Sequence, residues 1–161
     1  MSHLRRLEDA QPKSDKFDIR AYVDTIADSV KILCEEHGKT LWVQINIKNI
    51  LICIDCSFVS QVNNNLISNA LRYAKSEVHI SYVSDNNGFY ISVSDNGCGF
   101  TKDVLNKATN PYFTEEKDHS EHFGLGLYIC KLLCEHHNGY LKIENTASGA
   151  KVSAYFKSPA L

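Results

Sequence analysis

The apolar residues of this chain recur three and four positions apart in three long stretches. These stretches are residues 18–37, 57–74 and 125–137. Because this spacing places apolar side chains on one face of a helix, we predict three amphipathic helices. Asp18 and Gly38 are residue types that begin and end helices, which supports the bounds of the first one. A shorter helix is expected at residues 102–107.

Apolar and polar residues alternate in the segments between these helices, as they do in strands with one buried face. Six strands are predicted, at residues 41–47, 50–54, 78–83, 89–95, 141–144 and 151–156. Turn-forming residues 85–88 join the third and fourth strands into a hairpin, the last two strands form another, and Lys48-Asn49 makes a tight turn between the first two. This order predicts an α+β fold, a two-layer sandwich in which helices cover one face of a mixed, mostly antiparallel sheet.

Composition narrows the function classes without pointing to one. The chain has 161 residues, of which 43% are hydrophobic and 22% charged, so it is long enough for one domain with a proper core. A net charge of −2 favours neither nucleic acid nor an anionic membrane as a partner. No apolar run is long enough to span a bilayer, and no signal peptide is expected because residues 1–6 lack an apolar stretch.

The six cysteines raise the question of disulfides or a metal site. Cys53, Cys130 and Cys134 stand in apolar runs, where a free thiol behaves as a small hydrophobic side chain, so we expect reduced cysteines. The pair Cys53 and Cys56 has no second pair to complete a zinc site. The two histidines after Cys134 are adjacent and point apart, so zinc is not favoured there either.

Polar side chains form a stripe along the helix predicted at residues 57–74. Asn65, Asn69 and Tyr73 are spaced by four residues and so lie on one side of the helix, with Arg72 beside them. An amide oxygen suits Mg²⁺, an arginine can bind phosphate, and a tyrosine can stack on a base. A helix with a polar edge and no ligand would show the same pattern, so both interpretations stay open.

An acidic residue and two glycines follow the strand predicted at residues 89–95. Asp95 has the same strand parity as the apolar residues of that strand, so its carboxylate is predicted to point towards the core. A carboxylate placed there needs a hydrogen-bond partner, which the amino group of a purine would supply. Gly97 and Gly99 would let the backbone approach a ligand closely. A turn with a capping aspartate is the alternative.

Two further segments stand out after residue 107. Residues 108–123 are polar and irregular, and their apolar pair Tyr112-Phe113 would either latch onto another surface or pack against the core. Gly124-Leu125-Gly126-Leu127 is predicted to begin the last helix, where glycines would expose backbone N–H groups to a phosphate. Glycines at a helix start are common, so neither segment identifies a ligand by itself.

The order and spacing of these four segments resemble the ATP-binding domain of sensor histidine kinases, within the superfamily that includes gyrase, Hsp90 and MutL-type ATPases. The resemblance covers residues 18–157. The similar segments are residues 65–73 for the N box, 95–99 for the G1 box, 111–114 for the F box and 124–127 for the G2 box. It implies the Bergerat-type ATP-binding fold, protein-histidine kinase activity, and ATP and Mg²⁺ as cofactors.

The resemblance also implies a role for each residue of these segments. Asn69 would ligate Mg²⁺, with Asn65 supporting the metal and the phosphates. Arg72 would contact phosphate, and Tyr73 and Asp95 would bind adenine, Asp95 by accepting from its amino group. Asn65, Asn69 and Arg72 would thus be the catalytic residues, and the polar loop would form a lid over ATP. Further nucleotide contacts would come from Gly97, Gly99, Phe100, Phe113, Thr114, Gly124, Leu125, Gly126 and Leu127.

Position 65 separates branches of this superfamily. Hydrolytic members and serine-kinase relatives carry a glutamate four residues before the metal-binding asparagine, whereas Asn65 cannot act as a general base. The resemblance therefore points to a histidine kinase, whose acceptor imidazole is a nucleophile at neutral pH. An ATP-hydrolysing clamp and a degenerate, nucleotide-independent docking module are the alternatives. The usual Gly-Thr of the last hairpin is Gly149-Ala150 here, and the usual His-Gly-Gly is His137-Asn138-Gly139.

The acceptor motif of the family, a histidine followed by an acidic residue, Leu, Arg, Thr and Pro, is missing from this sequence. We therefore expect a catalytic fragment, with residues 1–17 as a tag remnant and the end of a dimerisation helix with its linker, and residues 18–161 as the catalytic domain. Its expected partners are the dimerisation domain of its own parent protein and a response regulator, with no nucleic acid. The fragment is expected to be monomeric and to come from the cytoplasmic part of a membrane protein.

Overall fold

The computed structural model describes residues 3–107 and 121–159. Their helices and strands are, in chain order, α1 (His3–Asp9), β1 (Asp15–Asp18), α2 (Ile19–Glu36), β2 (Thr40–Ile47), β3 (Leu51–Ile54), α3 (Cys56–Tyr73), β4 (Glu77–Ser84), β5 (Gly88–Asp95), α4 (Lys102–Lys107), α5 (Glu121–His136), β6 (Tyr140–Asn145) and β7 (Ala150–Lys157).

A five-stranded sheet in the order β2-β4-β5-β7-β6 forms one layer of the fold. Strand β2 lies parallel to β4, and the other neighbouring strands are antiparallel. Alternate residues of the central strands, such as Phe89, Ile91 and Val93, are buried beneath the helices. The opposite face carries more exposed side chains, including Trp42 and His79, which stack on one another. The predicted α+β sandwich with a mixed, mostly antiparallel sheet is therefore confirmed.

A second, two-stranded sheet corrects one predicted pairing. Strand β3 does not fold back on β2 but pairs antiparallel with β1, and residues 15–18 were expected to belong to a linker and a helix cap. The Lys48 N–H donates to the Ser84 carbonyl, so the pairing of β2 with β4 continues beyond Ile47. The predicted tight turn at Lys48-Asn49 therefore does not bring β3 back against β2. The side chains of Ile52 and Ile54 are then fully buried in the core.

Aspartates cap the two long helices that follow β1 and β3. The Asp18 carboxylate accepts from the Arg20 N–H at 2.8 Å at the start of α2, as predicted. The Asp55 carboxylate accepts from the Ser57 N–H at 2.9 Å at the start of α3. Gly38 has a φ of +66° just after α2, which confirms the predicted stop.

The last helix, α5, begins at Glu121, four residues before the predicted start at Leu125. At its other end His137 is buried, with 4% of its surface exposed. Its Nδ1 donates to the Leu133 carbonyl, and its Nε2 accepts the Asp55 N–H at 3.0 Å. This bond ties the end of α5 to the start of α3. Burial lowers the pKa of His137, so the imidazole is neutral, as an acceptor must be.

The first helix, α1, packs on α5, and the buried Leu7 joins it to the core. The Leu7 carbonyl accepts from His136 Nε2 at 2.8 Å. No helix within residues 3–107 and 121–159 is long and apolar enough to cross a membrane. All six cysteines are free thiols.

Candidate functional site

A cavity of about 210 Å³ lies between α3, β5, β7 and the residues that follow β5. Its walls are mostly apolar, and they include Leu66, Ala70, Val93, Phe100, Val104 and Val152. Its polar side chains come from Asn69, Asp95 and Thr101, with Tyr73 and Cys98 beside them. The cavity therefore combines an apolar slot with few, separate hydrogen-bonding groups, as small-molecule sites do.

Asp95 lies at the inner end of this cavity, as the last residue of β5. Its side chain points inward with Phe89, Ile91 and Val93, as strand parity predicted, and it is only 8% exposed. Its Oδ1 accepts from the Gly97 N–H at 2.8 Å, and the Ala150 N–H also donates to the carboxylate. Burial raises the pKa of Asp95 despite these two bonds. A carboxylate has about four acceptor positions, so capacity remains for a ligand.

Three backbone segments meet at close range behind Asp95. A Cβ atom at Gly97 would lie 2.2 Å from the Tyr73 carbonyl oxygen, and one at Gly149 would lie 2.3 Å from the Asp95 carbonyl oxygen. Gly97 was predicted to let a ligand approach, but the structure explains this glycine by its contact with the end of α3, and Gly97 does not line the cavity. Gly99 does line it, with a φ of +79°.

Only part of the predicted stripe on α3 faces the cavity. Asn69 and Tyr73 line it, and Tyr73 is 39% exposed. Arg72 is exposed and is not among the described lining residues. Asn65 lies one turn before Asn69, and its amide hydrogen-bonds the Cys130 thiol of α5. Burial raises the pKa of Cys130 to about 12, with the Asn65 bond opposing that rise.

The segments after residue 107 are only partly described. Residues 108–120, which include Phe113 and Thr114 and most of the predicted lid, lie outside the described residues. Residues 121–123 belong to α5, so the predicted loop ends earlier than residue 123. The segment Gly124-Leu125-Gly126-Leu127 therefore lies within the first two turns of a helix and not at its start. At Gly126 the backbone N–H bonds to the preceding turn, which corrects the predicted exposure there. Gly126 and Leu127 are not among the described residues that line the cavity.

Several residues that build the site had no separate feature in the sequence. Ala150 and Val152 share the parity of the core residues of β7, but that parity does not show that β7 lies beside β5. The Asn96 side chain accepts from three backbone N–H groups at residues 75–77 and so holds the connection between α3 and β4. The Asn145 side chain binds the backbone of Phe100.

A family model described as "Histidine kinase-, DNA gyrase B-, and HSP90-like ATPase" matches residues 54–160. The chain belongs to this ATPase family. The match covers α3, β5 and β7, the elements that surround the cavity. The predicted resemblance to the ATP-binding domain of sensor histidine kinases and their superfamily is thereby confirmed.

The proteins similar to this chain are sensor kinases or a catalytic domain of one. Sensor histidine kinase SpaK of Bacillus subtilis is 29% identical over 158 residues, which cover 93% of this chain and 34% of SpaK. The catalytic domain of histidine kinase ThkA superposes with a TM-score of 0.73 at 19% identity, over 90% of this chain and 97% of that one. Full-length ShkA in complex with AMPPNP gives a TM-score of 0.76 at 20% identity, over 99% of this chain and 35% of that one. This chain spans at most about a third of the length of curated relatives such as SpaK, WalK and LuxQ.

Proposed function

We propose that this chain is the ATP-binding catalytic domain of a sensor histidine kinase, which transfers the γ-phosphoryl group of ATP to a histidine on a separate dimerisation domain. The observation that carries the proposal is the buried Asp95 carboxylate in an otherwise apolar slot of an ATPase-family fold. The names of relatives such as SpaK support the kinase branch of that family.

The cavity fits the adenine ring of ATP. Leu66 and Ala70 of α3 and Val93 and Val152 of the sheet form apolar walls that suit the faces of an aromatic ring. Asp95 accepts a hydrogen bond from the exocyclic amino group of the base. Because that amino group offers only donors and the carboxylate only acceptors, the pairing selects for a base that presents an amino group at this point.

Asn69 would hold Mg²⁺ at the edge of the cavity. Its amide oxygen is a hard ligand, and Mg²⁺ takes few protein ligands because it keeps waters and phosphate oxygens in its shell. When bound, the ion neutralises charge on the phosphoryl group that is transferred. Arg72, exposed in the last turn of α3, supplies a cation for the phosphates. Asn65 would orient Asn69 from one turn earlier through its contact with α5.

The chemistry of position 65 favours transfer to histidine over hydrolysis of ATP. An amide has no proton-accepting group of useful basicity, so Asn65 cannot activate a water molecule. An imidazole needs no such activation, because its neutral form is a nucleophile at physiological pH. Transfer then depends mainly on positioning and charge neutralisation.

The proposal extends to the parent protein. Residues 3–14 would be the end of the dimerisation helix with its linker, and the catalytic domain would begin with β1, which pairs with β3. The partners are the dimerisation domain of the parent and a response regulator, and the parent is a membrane protein whose catalytic part lies in the cytoplasm. By itself this chain is monomeric.

The test uses the chain together with the histidine-bearing helical domain of its parent. With radiolabelled ATP and Mg²⁺, acid-labile label is expected on the helical domain, slowly because the tether between the two parts is absent. Chelation of Mg²⁺ and the variant Asp95→Asn should each strongly reduce this transfer. Failure of the chain to label the helical domain under conditions where it binds ATP would refute the kinase assignment.

A further inference from the structure

Asn145, the last residue of β6, holds one wall of the cavity from outside. Its Oδ1 accepts from the Phe100 N–H at 2.7 Å, and its Nδ2 donates to the Phe100 carbonyl at 2.8 Å. One carboxamide thus binds both backbone polar groups of one residue, as a neighbouring strand would do. Asn145 itself is exposed and is not among the described residues that line the cavity.

The backbone that Asn145 holds carries a large part of the cavity surface. Residues 98–101 all line the cavity, and they connect β5 to α4 without regular secondary structure. At the β5 end, Asp95 holds this connection through the Gly97 N–H. At the α4 end, the Thr101 hydroxyl accepts from the Val104 N–H at 3.1 Å. The two bonds from Asn145 fix the middle of the connection.

Gly99 and Asn145 fit each other closely. A Cβ atom at Gly99 would lie 2.9 Å from Asn145 Oδ1, and the φ of Gly99 is +79°. Glycine is therefore required at position 99 both for its backbone conformation and for the space that the carboxamide occupies. The next residue, Phe100, receives both hydrogen bonds of that carboxamide.

We propose that Asn145 is a positioning residue for base binding. It fixes residues 98–101 in the conformation in which they contact the base, while Asn145 itself does not touch the ligand. This rests on the proposed function, since it places the base in this cavity. Without the two bonds, binding would have to order the connection between β5 and α4, and that ordering costs affinity. Because the wall surrounds the base and not the phosphates, the loss is the same for AMP, ADP and ATP. Because Asn145 is exposed, core packing does not depend on it.

The experiment compares Asn145→Ala and Asn145→Asp with Asn87→Ala and Asn87→Asp. Asn87 is a matched control because it is also exposed, lies in the turn at the far end of β5, and is bonded only through its backbone among the described residues. The Asn145→Asp variant places a carboxylate oxygen opposite the Phe100 carbonyl, so two hydrogen-bond acceptors face each other. Calorimetry should show binding of AMP, ADP and ATP weakened by roughly tenfold in both Asn145 variants, and by less than about twofold in the controls.

Two further measurements separate positioning from general stability. The Phe100 amide should exchange its hydrogen faster in the Asn145 variants than in the parent without any nucleotide, while the thermal midpoint stays near that of the controls. The proposal is wrong if the parent binds nucleotide and the Asn145 variants bind it equally well, or if the loss grows with the number of phosphates. It is also wrong if affinity falls only with thermal stability while exchange at Phe100 is unchanged. A parent chain that binds none of the three nucleotides would instead contradict the proposed function. In that case, a Phe100 exchange rate in the Asn145 variants equal to that of the parent would still overturn the role of Asn145.

Discussion

The Asp95 side chain is buried and keeps free acceptor positions, and under the proposed function this combination selects the base. Its carboxylate accepts from the backbone N–H groups of Gly97 and Ala150. The substitution Asp95→Asn keeps the size of the side chain but replaces one acceptor oxygen by an amino group, which would face the amino group of adenine. We expect calorimetry to show affinity for ADP and ATP reduced by roughly ten- to hundredfold, because a buried charged hydrogen bond contributes about 1.5–3 kcal/mol.

Asp85→Asn is the matched control for this substitution. Asp85 lies at the other end of β5, where its Oδ1 accepts from the Asn87 N–H at 2.8 Å and the Gly88 N–H at 3.1 Å. Both aspartates hold a turn, so the control reproduces the change in turn stability without removing a ligand contact. Asp85→Asn should bind ADP like the parent, and an Asp95→Asn chain that does the same would refute the assignment.

Single residues were predictable where their placement follows from periodicity. Strand parity located the buried Asp95, and helical spacing located Asn69 and Tyr73, and the structure brings all three to one cavity. Asn145 was not predictable, because its role depends on a contact with Phe100, 45 positions away in the sequence. Periodicity shows which face of an element is buried, but it does not show which elements become neighbours.

At the scale of elements, two glycines have opposite surroundings. A Cβ atom at Gly149, between β6 and β7, would lie 2.3 Å from the Asp95 carbonyl oxygen and 2.9 Å from the Gly97 nitrogen. A Cβ atom at Gly126, in α5, would have no atom within 4 Å. Gly149→Ala should therefore lower the free energy of unfolding by about 1–3 kcal/mol, as overpacking does, and weaken ADP binding through the displacement of Asp95.

Gly126→Ala should raise the free energy of unfolding by about 0.5–1 kcal/mol, because alanine favours the helix more than glycine does. Urea unfolding measures both variants in parallel. A Gly149→Ala chain as stable as Gly126→Ala would show that the turns behind Asp95 are not packed as described.

The contact between α5 and α3 makes the stability of the domain depend on pH. Burial lowers the pKa of His137, while the Leu133 carbonyl and the Asp55 charge oppose the change and His136 adds to it. A histidine whose pKa is lower in the folded than in the unfolded state stabilises the fold above its unfolded pKa of about 6.5, and this contribution is lost as the pH falls below that value. We expect the free energy of unfolding to decrease between pH 7.5 and pH 5.

His137→Gln tests the source of this pH dependence. The amide oxygen of glutamine can accept from the Asp55 N–H, as His137 Nε2 does at 3.0 Å, but it does not titrate. The variant should lose about 1–3 kcal/mol at pH 7.5 through imperfect hydrogen bonding and packing, yet show a smaller decrease between pH 7.5 and pH 5. An unchanged pH slope in urea unfolding would assign the effect to other groups.

Elements were predictable in type more reliably than in pairing. The alternation in residues 50–54 identified β3, but its partner β1 has only four residues, three of them exposed, so no periodic pattern marked it. Helix α5 begins at Glu121, whereas the prediction relied on the glycines at 124 and 126 as a helix start. For β1, a short segment takes its structure from a strand that is distant in sequence.

At the scale of the whole molecule, the chain belongs to an ATPase family, but its sequence lacks the acceptor motif for the phosphoryl group of ATP. None of its seven histidines is followed by the acceptor motif of the family. His137 is buried, and His136 is hydrogen-bonded to the Leu7 carbonyl. Among the described residues, Asp95 is the only carboxylate that lines the cavity, and its proposed role is to bind the base. Under the proposed function, the component that the chain lacks is therefore the nucleophile.

We therefore expect the isolated chain to bind ATP with Mg²⁺ but neither to phosphorylate itself on histidine nor to hydrolyse ATP appreciably. Radiolabelled ATP measures both, as acid-labile label on the chain and as released phosphate, and the same preparation must label the added helical domain of its parent, which shows that it is active. Acid-labile label on the chain alone would contradict this prediction. A hydrolysis rate that matches the hydrolytic relatives and is unaffected by Asn65→Ala would contradict it as well, because a base other than residue 65 would then be activating water.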